Sequence, residues 1–157
     1  MLPILYLSYA PGGEPLWQWQ GAWRWLSHAL AIAGMAGFVV TSRWYDMDTF
    51  LGLRQIREGD RQPDGHERFR ISPIHRFVRH PWYFFGLILV WSSDKTLPLL
   101  VSTIAITIYF IVGSRLEERK LLAIHGDAYR RYMERVPGLV PMPWKRLTAE
   151  EAERLAG

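Results

Sequence analysis

Long apolar runs separated by charged stretches organise this chain. The first run, from Leu26 to Val40, contains only two polar residues, and four tryptophans lie before it between Trp17 and Trp25. Tryptophan is enriched where a helix enters a bilayer. The stretch Trp23 to Thr41 approaches the about 20 residues that a helix needs to cross the hydrocarbon, and Arg24 can extend its charge outward. We therefore predict a transmembrane helix here, with Gly34 and Gly37 allowing close approach of another helix.

Two further apolar runs follow in the second half of the chain. Ser72-Pro73 is typical of a helix start, and apolar residues continue from there to Trp91 with an interruption at Pro81. The polar stretch Ser92 to Lys95 separates this run from a second one, Thr96 to Gly113. A short polar turn between two apolar runs predicts an antiparallel helical hairpin.

Beyond Arg115 the pattern becomes amphipathic. Apolar side chains at helical spacing face one side, and charged residues face the other. The pattern predicts a helix that lies along the membrane surface. The residues Thr148 to Gly157 are expected to form a solvated tail. The apolar face consists of Tyr129, Tyr132, Met133 and Val136.

Two other segments give weaker patterns. Met1 to Ala10 is apolar but short and has no basic residue, so a cleaved signal peptide is not expected. An interfacial segment, a partial span and the remnant of a longer membrane region all remain open. The charged stretch Arg43 to Arg70 is expected to be a surface connection with one short interfacial helix around Phe50 to Ile56.

These patterns predict an all-α fold, namely an integral membrane helical bundle. It has about three transmembrane helices, a C-terminal helical hairpin and an amphipathic cytoplasmic helix. With 157 residues and 18.3 kDa, the chain suits one domain. We expect that domain to cover residues 1–157, with a polar tail at 145–157.

The distribution of charge selects a bilayer over a nucleic acid as the partner. The net charge is +4. Eight of the 19 Lys and Arg residues lie between Arg43 and Arg79, and nine lie between Arg115 and Arg154. Basic residues that flank apolar runs follow the positive-inside rule, which places both basic stretches in the cytoplasm and Ser92 to Lys95 on the other side. Cysteine is absent, which excludes disulfides, thiolate metal sites and a cysteine nucleophile.

The first candidate site is the cluster Arg76 to Tyr83. Pro81 has no N–H and disfavours helical geometry in the residue before it, so the carbonyl of Phe77 loses its helical partner. A broken turn lined by His80 and Tyr83 can bind a polar ligand. The alternative is an interfacial Arg and His pair beside an ordinary kink.

The second candidate site is the pair Glu117 and Glu118, just after the last apolar run. Neighbouring helical residues point about 100° apart, so the two carboxylates cannot face one ligand in the same way. The alternative is a pair of solvated charges at the membrane boundary. If the chain turns at Ser92 to Lys95, the Pro81 break and the two carboxylates return to the same membrane face.

The order of these elements resembles the isoprenylcysteine carboxyl methyltransferase superfamily, which includes phospholipid methyltransferases. The resemblance extends over residues 17–144, and the stretch Trp44 to Gln55 is most similar to the methanethiol S-methyltransferase branch. The elements that carry it are Arg79-His80-Pro81-Trp82-Tyr83, the apolar hairpin, Glu117-Glu118-Arg119-Lys120-Leu121, Gly126 to Tyr132, and Val136-Pro137.

The resemblance implies S-adenosylmethionine as cofactor, bound at the cytoplasmic end of the hairpin, and no metal. Carboxylates suit the ribose hydroxyls or amino group of the cofactor, and aromatic rings suit adenine or the sulfonium. The helix from Tyr129 to Tyr132 resembles a segment that closes over the cofactor. The implied cofactor-binding residues are Arg79, His80, Pro81, Tyr83, Glu117 and Glu118.

The implied function is methyl transfer to a small thiol or a lipid-soluble acceptor that reaches the site through the bilayer. Isoprenylcysteine carboxyl O-methylation, phospholipid N-methylation and a non-catalytic membrane scaffold remain alternatives. A thiol needs a base, for which His75, His80 and Tyr83 are candidates. Longer family members carry extra spans before the region equivalent to Trp17. Either a partner chain or second copy completes the acceptor pocket, or the chain is a minimal version.

Overall fold

The computed structural model describes residues 14–42 and 71–156, which are mostly helical. Two short antiparallel strands accompany the helices. The predictions for Met1 to Ala10 and for Arg43 to Arg70 lie outside the described residues. The elements are β1 (Pro15–Trp17), α1 (Ala22–Ser42), a 3-10 turn (Ile74–Arg76), α2 (Pro81–Ser92), β2 (Lys95–Thr96), α3 (Leu97–Arg135) and α4 (Ala149–Ala156).

Helices α1 and α3 are the two described helices that are long and apolar enough to cross a membrane. Most of their apolar residues are exposed, which suits helices that face lipid rather than the core of a soluble protein. The intervening α2 has 12 residues and is therefore about 18 Å long, shorter than the about 30 Å of hydrocarbon. The structure thus supports a helical membrane protein in which the described residues form two helices of membrane length.

Helix α2 begins later than the sequence predicts. Its first residue is Pro81, not Pro73, and the residues from Ile74 to Arg76 form only a 3-10 turn. The backbone of His80 has φ −122° and ψ 70°, outside the helical region. Proline imposes this restriction on the residue before it, so the interruption separates two elements instead of bending one helix.

Helices α1 and α2 pack closely and antiparallel. A Cβ at Gly34 would lie 3.3 Å from the Phe85 carbonyl oxygen, and one at Gly37 would overlap the Phe85 ring. At the other end of the pair, the Ser27 hydroxyl donates to the Ser92 carbonyl at 2.6 Å. The predicted close approach of a helix at the two glycines is confirmed.

Helices α2 and α3 form the predicted antiparallel hairpin. Trp91 Nε1 donates to Thr107 Oγ1 at 3.1 Å near the turn, and the Tyr83 ring stacks on Phe110 at 4.7 Å near the open end. The buried Lys95 ammonium closes the turn by donating to backbone carbonyls at the end of α2. The strand pair β1 and β2, which the all-α prediction does not include, lies beside this turn.

The range given for α3 contains two helical parts that meet at a kink, and the predicted amphipathic helix is the second part. The kink lies at Gly126, whose φ of 54° and ψ of −127° are not helical and are tolerated by glycine. The apolar face predicted to lie on the membrane instead forms a buried protein core with the chain that follows α3. That core contains Tyr129, Tyr132, Val136, Leu147 and Ala152.

The end of the chain is less solvated than expected. Thr148 caps α4 by accepting a hydrogen bond from the Glu151 N–H at 3.2 Å. Ala152 on that helix is buried against the tyrosine core, and Glu151 pairs with Arg135 at 2.7 Å. Helix α4 is largely charged in sequence, but one of its faces is apolar and packs on the end of α3.

Candidate functional site

The backbone before α2 is hydrogen-bonded to the backbone of the residues that follow α3. The N–H groups of Arg79 and His80 donate to the carbonyls of Pro137 and Gly138 at 2.9 and 3.0 Å. The Tyr132 hydroxyl adds a bond to the carbonyl of His75 at 2.6 Å. These bonds satisfy donors that the Pro81 break leaves outside a helix, and they fix Arg79 and His80 over the end of the hairpin.

His80 lies between the two carboxylates. Its Nδ1 is 3.2 Å from Glu117 Oε2, and its Nε2 is 3.1 Å from Glu118 Oε1. An imidazole can donate from both nitrogens only when it is protonated. Burial acts to lower the pKa of His80, but hydrogen bonds to both carboxylates outweigh it and raise the pKa above the ordinary value. The arrangement favours an imidazolium that bridges two carboxylates.

Arg79 and Glu118 form the buried half of the cluster. Arg79 Nη2 is 2.8 Å from Glu118 Oε1, and the two side chains are only 11% and 13% exposed. Arg79 Nη1 also donates to the Met133 carbonyl at 2.9 Å. Glu118 is therefore held by two cationic partners, Arg79 and His80.

Glu117 and Tyr83 form the open half. Tyr83 donates its hydroxyl hydrogen to Glu117 Oε1 at 2.5 Å, and the Glu117 side chain is 52% exposed. The Tyr83 ring stacks on His80 at 5.5 Å and on Phe110 at 4.7 Å. Glu117 is thus oriented by two partners and still presents carboxylate surface to a ligand.

The structure brings all six predicted site residues together. Pro81 is the buried first residue of α2, and the five side chains around it make the contacts given above. Both carboxylates contact His80, but they do so at opposite nitrogens and differ in exposure, so they do not face one ligand in the same way. Sequence reasoning missed Phe110, Met133 and Gly138, because a ring in an apolar run and two backbone carbonyls carry no recognisable sequence signal.

His75, a base candidate, lies in the 3-10 turn that precedes the cluster. Its Nδ1 is 2.6 Å from the Ser72 hydroxyl oxygen. Burial, with a smaller contribution from the charge of His80, lowers the pKa of His75 to about 4. His75 is therefore neutral near pH 7, and its backbone carbonyl links the 3-10 turn to α3 through Tyr132.

The fold and cluster are those of a helical membrane protein with an ionic site at the end of a hairpin. Over 153 residues, the chain is 29% identical to methanethiol S-methyltransferase 2 of Bradyrhizobium diazoefficiens, covering 96% of this chain and 59% of that protein. It is 28% identical over 151 residues to the methanethiol S-methyltransferase of Crocosphaera subtropica, with coverage of 92% and 58%.

A third relative gives the same result. The methanethiol S-methyltransferase of Mycobacterium tuberculosis is 31% identical over 145 residues, which are 90% of this chain and 59% of that protein. The chain thus spans under two thirds of the length of these relatives. No family model matches the chain. No solved structure matches it. The predicted resemblance to the methanethiol S-methyltransferase branch is confirmed.

Proposed function

We propose that this chain is an S-adenosylmethionine-dependent membrane methyltransferase that methylates a small thiol. The observation that carries the proposal is similarity to proteins named methanethiol S-methyltransferase over 90% or more of the chain. The ionic cluster supports it independently, because it collects polar groups beside apolar helices at one end of the hairpin. Isoprenylcysteine and phospholipid acceptors rank lower, since these relatives are named for a thiol.

The residues present fit the proposed cofactor. The half-exposed Glu117 can accept hydrogen bonds from ribose hydroxyls or from an amino group. Among the described residues, Arg79 Nε is a buried donor without a hydrogen-bond partner, which suits a ligand carboxylate. Tyr83 offers an aromatic ring to a sulfonium. We assign Glu117, Tyr83 and Arg79 to direct contact, with His80, Pro81 and Glu118 holding them in place.

S-adenosylmethionine, when bound, would supply a methyl group to the nucleophile, with the bond between the methyl carbon and the sulfonium sulfur breaking and S-adenosylhomocysteine leaving. The residues have to align that nucleophile, exclude water and remove the proton of a thiol. His80 does not suit the last task, because both of its nitrogens donate to carboxylates. Tyr83 and Glu117 together suit the removal of the thiol proton. The Tyr83 oxygen would accept the proton from the thiol while the Tyr83 hydroxyl proton passes to the Glu117 carboxylate.

The acceptor is proposed to enter from the bilayer. The Tyr83 ring stacks on Phe110, which adjoins the apolar surface between α2 and α3. A small thiol dissolved in lipid would follow this apolar path and reach Glu117 at its end. A water-soluble protein would gain little from such a path. The positive-inside distribution supports a cluster that faces the cytoplasm.

The direct test uses membranes that contain the full chain, methyl-labelled S-adenosylmethionine and methanethiol. Volatile, lipid and protein fractions are separated after incubation. We expect label in the volatile thioether, and none in membranes that lack the chain. Label confined to the protein or lipid fraction would show that the acceptor is an isoprenylcysteine or a phospholipid and not a thiol. The absence of labelled product from every fraction would contradict methyl transfer by this chain.

A further inference from the structure

A cavity lies at the opposite end of α2 from the Glu117 cluster. It has a volume of about 430 Å³ and opens between the start of α1 and the turn after α2. Because α2 is about 18 Å long, this cavity is separate from the proposed cofactor site. Its lining includes Arg24, Ser27, His28, Ala31, Leu89 and Asp94.

The cavity holds a cation and an anion that do not pair with each other. Arg24 Nε donates to the Trp19 carbonyl at 3.1 Å, and Asp94 Oδ1 accepts from the Trp19 N–H at 3.0 Å. The backbone of one residue thus fixes both groups and keeps them apart. Both are exposed, so each retains free donors or free acceptor lone pairs for a ligand.

One further charge lies beside this arrangement. The Lys95 ammonium interacts electrostatically with Asp94, but it is buried, and its hydrogen bonds go to Val90 and Ser93 oxygens and not to the Asp94 carboxylate. His28 packs edge-on against Trp25. The floor is apolar where Ala31 and Leu89 meet, and it is continuous with the exposed surfaces of two helices that we place in a membrane.

We propose that this cavity binds the headgroup of a zwitterionic phospholipid that carries a primary ammonium group. The Arg24 guanidinium suits the phosphate, because a forked donor can bond two phosphate oxygens. Asp94 suits the ammonium, which donates hydrogen bonds that a quaternary amine cannot donate. The acyl chains would follow Ala31 and Leu89 into the bilayer. An anionic lipid without an amine leaves Asp94 facing an uncharged or repelling group.

The test is native mass spectrometry of the purified full chain with phosphatidylethanolamine, phosphatidylcholine or phosphatidylglycerol at equal concentrations. For the parent chain, we expect about threefold or greater preference for phosphatidylethanolamine, the scale of a partly exposed ion pair. Asp94→Asn should abolish that preference. Arg24→Gln should weaken binding of all three lipids, and Arg24→Lys, which keeps the charge, should restore part of it.

Glu14→Gln is the matched control, since Glu14 is an exposed carboxylate beside β1 and outside the cavity lining. It should leave the preference intact. Equal binding of the three lipids by the parent, or an unchanged preference in Asp94→Asn, overturns the proposal. Glycerophosphoethanolamine, the headgroup without chains, should not displace the lipid at equal concentration, and full displacement would rule out a lipid as the specific occupant.

Discussion

The Tyr83 hydroxyl donates to Glu117, which lies 34 residues further along the chain on the facing helix of the hairpin. This single bond joins the two sequence clusters that the turn at Ser92 to Lys95 returns to one end of the molecule. It also separates the roles of adjacent carboxylates. Glu117 is oriented yet half-exposed, whereas Glu118 is buried between two cationic side chains.

Glu117→Gln should weaken binding of S-adenosylmethionine about ten- to hundredfold, since removal of a charge-assisted hydrogen bond costs about 1.5 to 3 kcal/mol. Glu118→Gln should mainly lower the melting temperature, because it leaves Arg79 and His80 with a weakened buried partner. Calorimetry and thermal denaturation of the detergent-purified variants measure the two effects. Glu134→Gln, at an exposed position on α3, is the control. Parental affinity in both single variants and in the double variant would refute the site.

Tyr83→Phe should reduce thiol methylation while leaving the stack with His80 and Phe110 in place, because only the hydroxyl is lost. If Tyr83 relays the thiol proton, the defect should shrink for a more acidic thiol that ionises without help. Tyr83→Ala should lower activity for both thiols, since it also removes the ring. Headspace analysis of the thioether gives the rates. An equal loss in Tyr83→Phe for the two thiols would exclude the proton relay.

His75 should make the protein less stable in acid. Its pKa is lowered from 6.5 to about 4 in the folded chain, so the unfolded chain binds the proton more readily between these values. The contribution of His75 to the free energy of unfolding is fully present above about pH 6.5. It is lost as the pH falls towards 4, by an amount on the order of 3 kcal/mol. His75→Gln should flatten this part of the melting profile, and an unchanged slope would contradict the assignment.

Gly37→Ala should destabilise the α1–α2 pair by about 1 to 3 kcal/mol, because the added methyl overlaps the Phe85 ring. Ala36→Leu adds more volume at an exposed position of the same helix and should have little effect. Thermal denaturation in one detergent compares the two variants. A larger loss at position 36 than at position 37 would mean that the helices do not pack through this surface.

Topology can be measured with single cysteines because the chain has none of its own. Ser93→Cys should react with an impermeant thiol reagent in intact cells, and Thr148→Cys should react only after the cells are opened. The basic residues that flank the apolar runs are the reason for this orientation. Reaction at position 148 but not at position 93 would invert it.

The sequence by itself determined the helical membrane character, because apolar runs of bilayer length have few alternatives to a helix in lipid. The small residues at Gly34 and Gly37 and the turn at Ser92 to Lys95 also predicted which helices pack together. The sequence also predicted that the Pro81 break and the paired carboxylates meet once the hairpin forms, and the family resemblance implied which six residues bind the cofactor.

Only the tertiary structure decided which of those groups is buried and which is open to a ligand. Glu117 and Glu118 are neighbours with the same chemistry, and their exposure depends on Arg79 and Tyr83, which approach from another helix. The burial of Tyr129 and Tyr132 under α4 was likewise not predictable, because an amphipathic pattern shows an apolar face but not whether lipid or protein covers it. Burial is a property of the surroundings of a residue, and those surroundings come from distant parts of the chain.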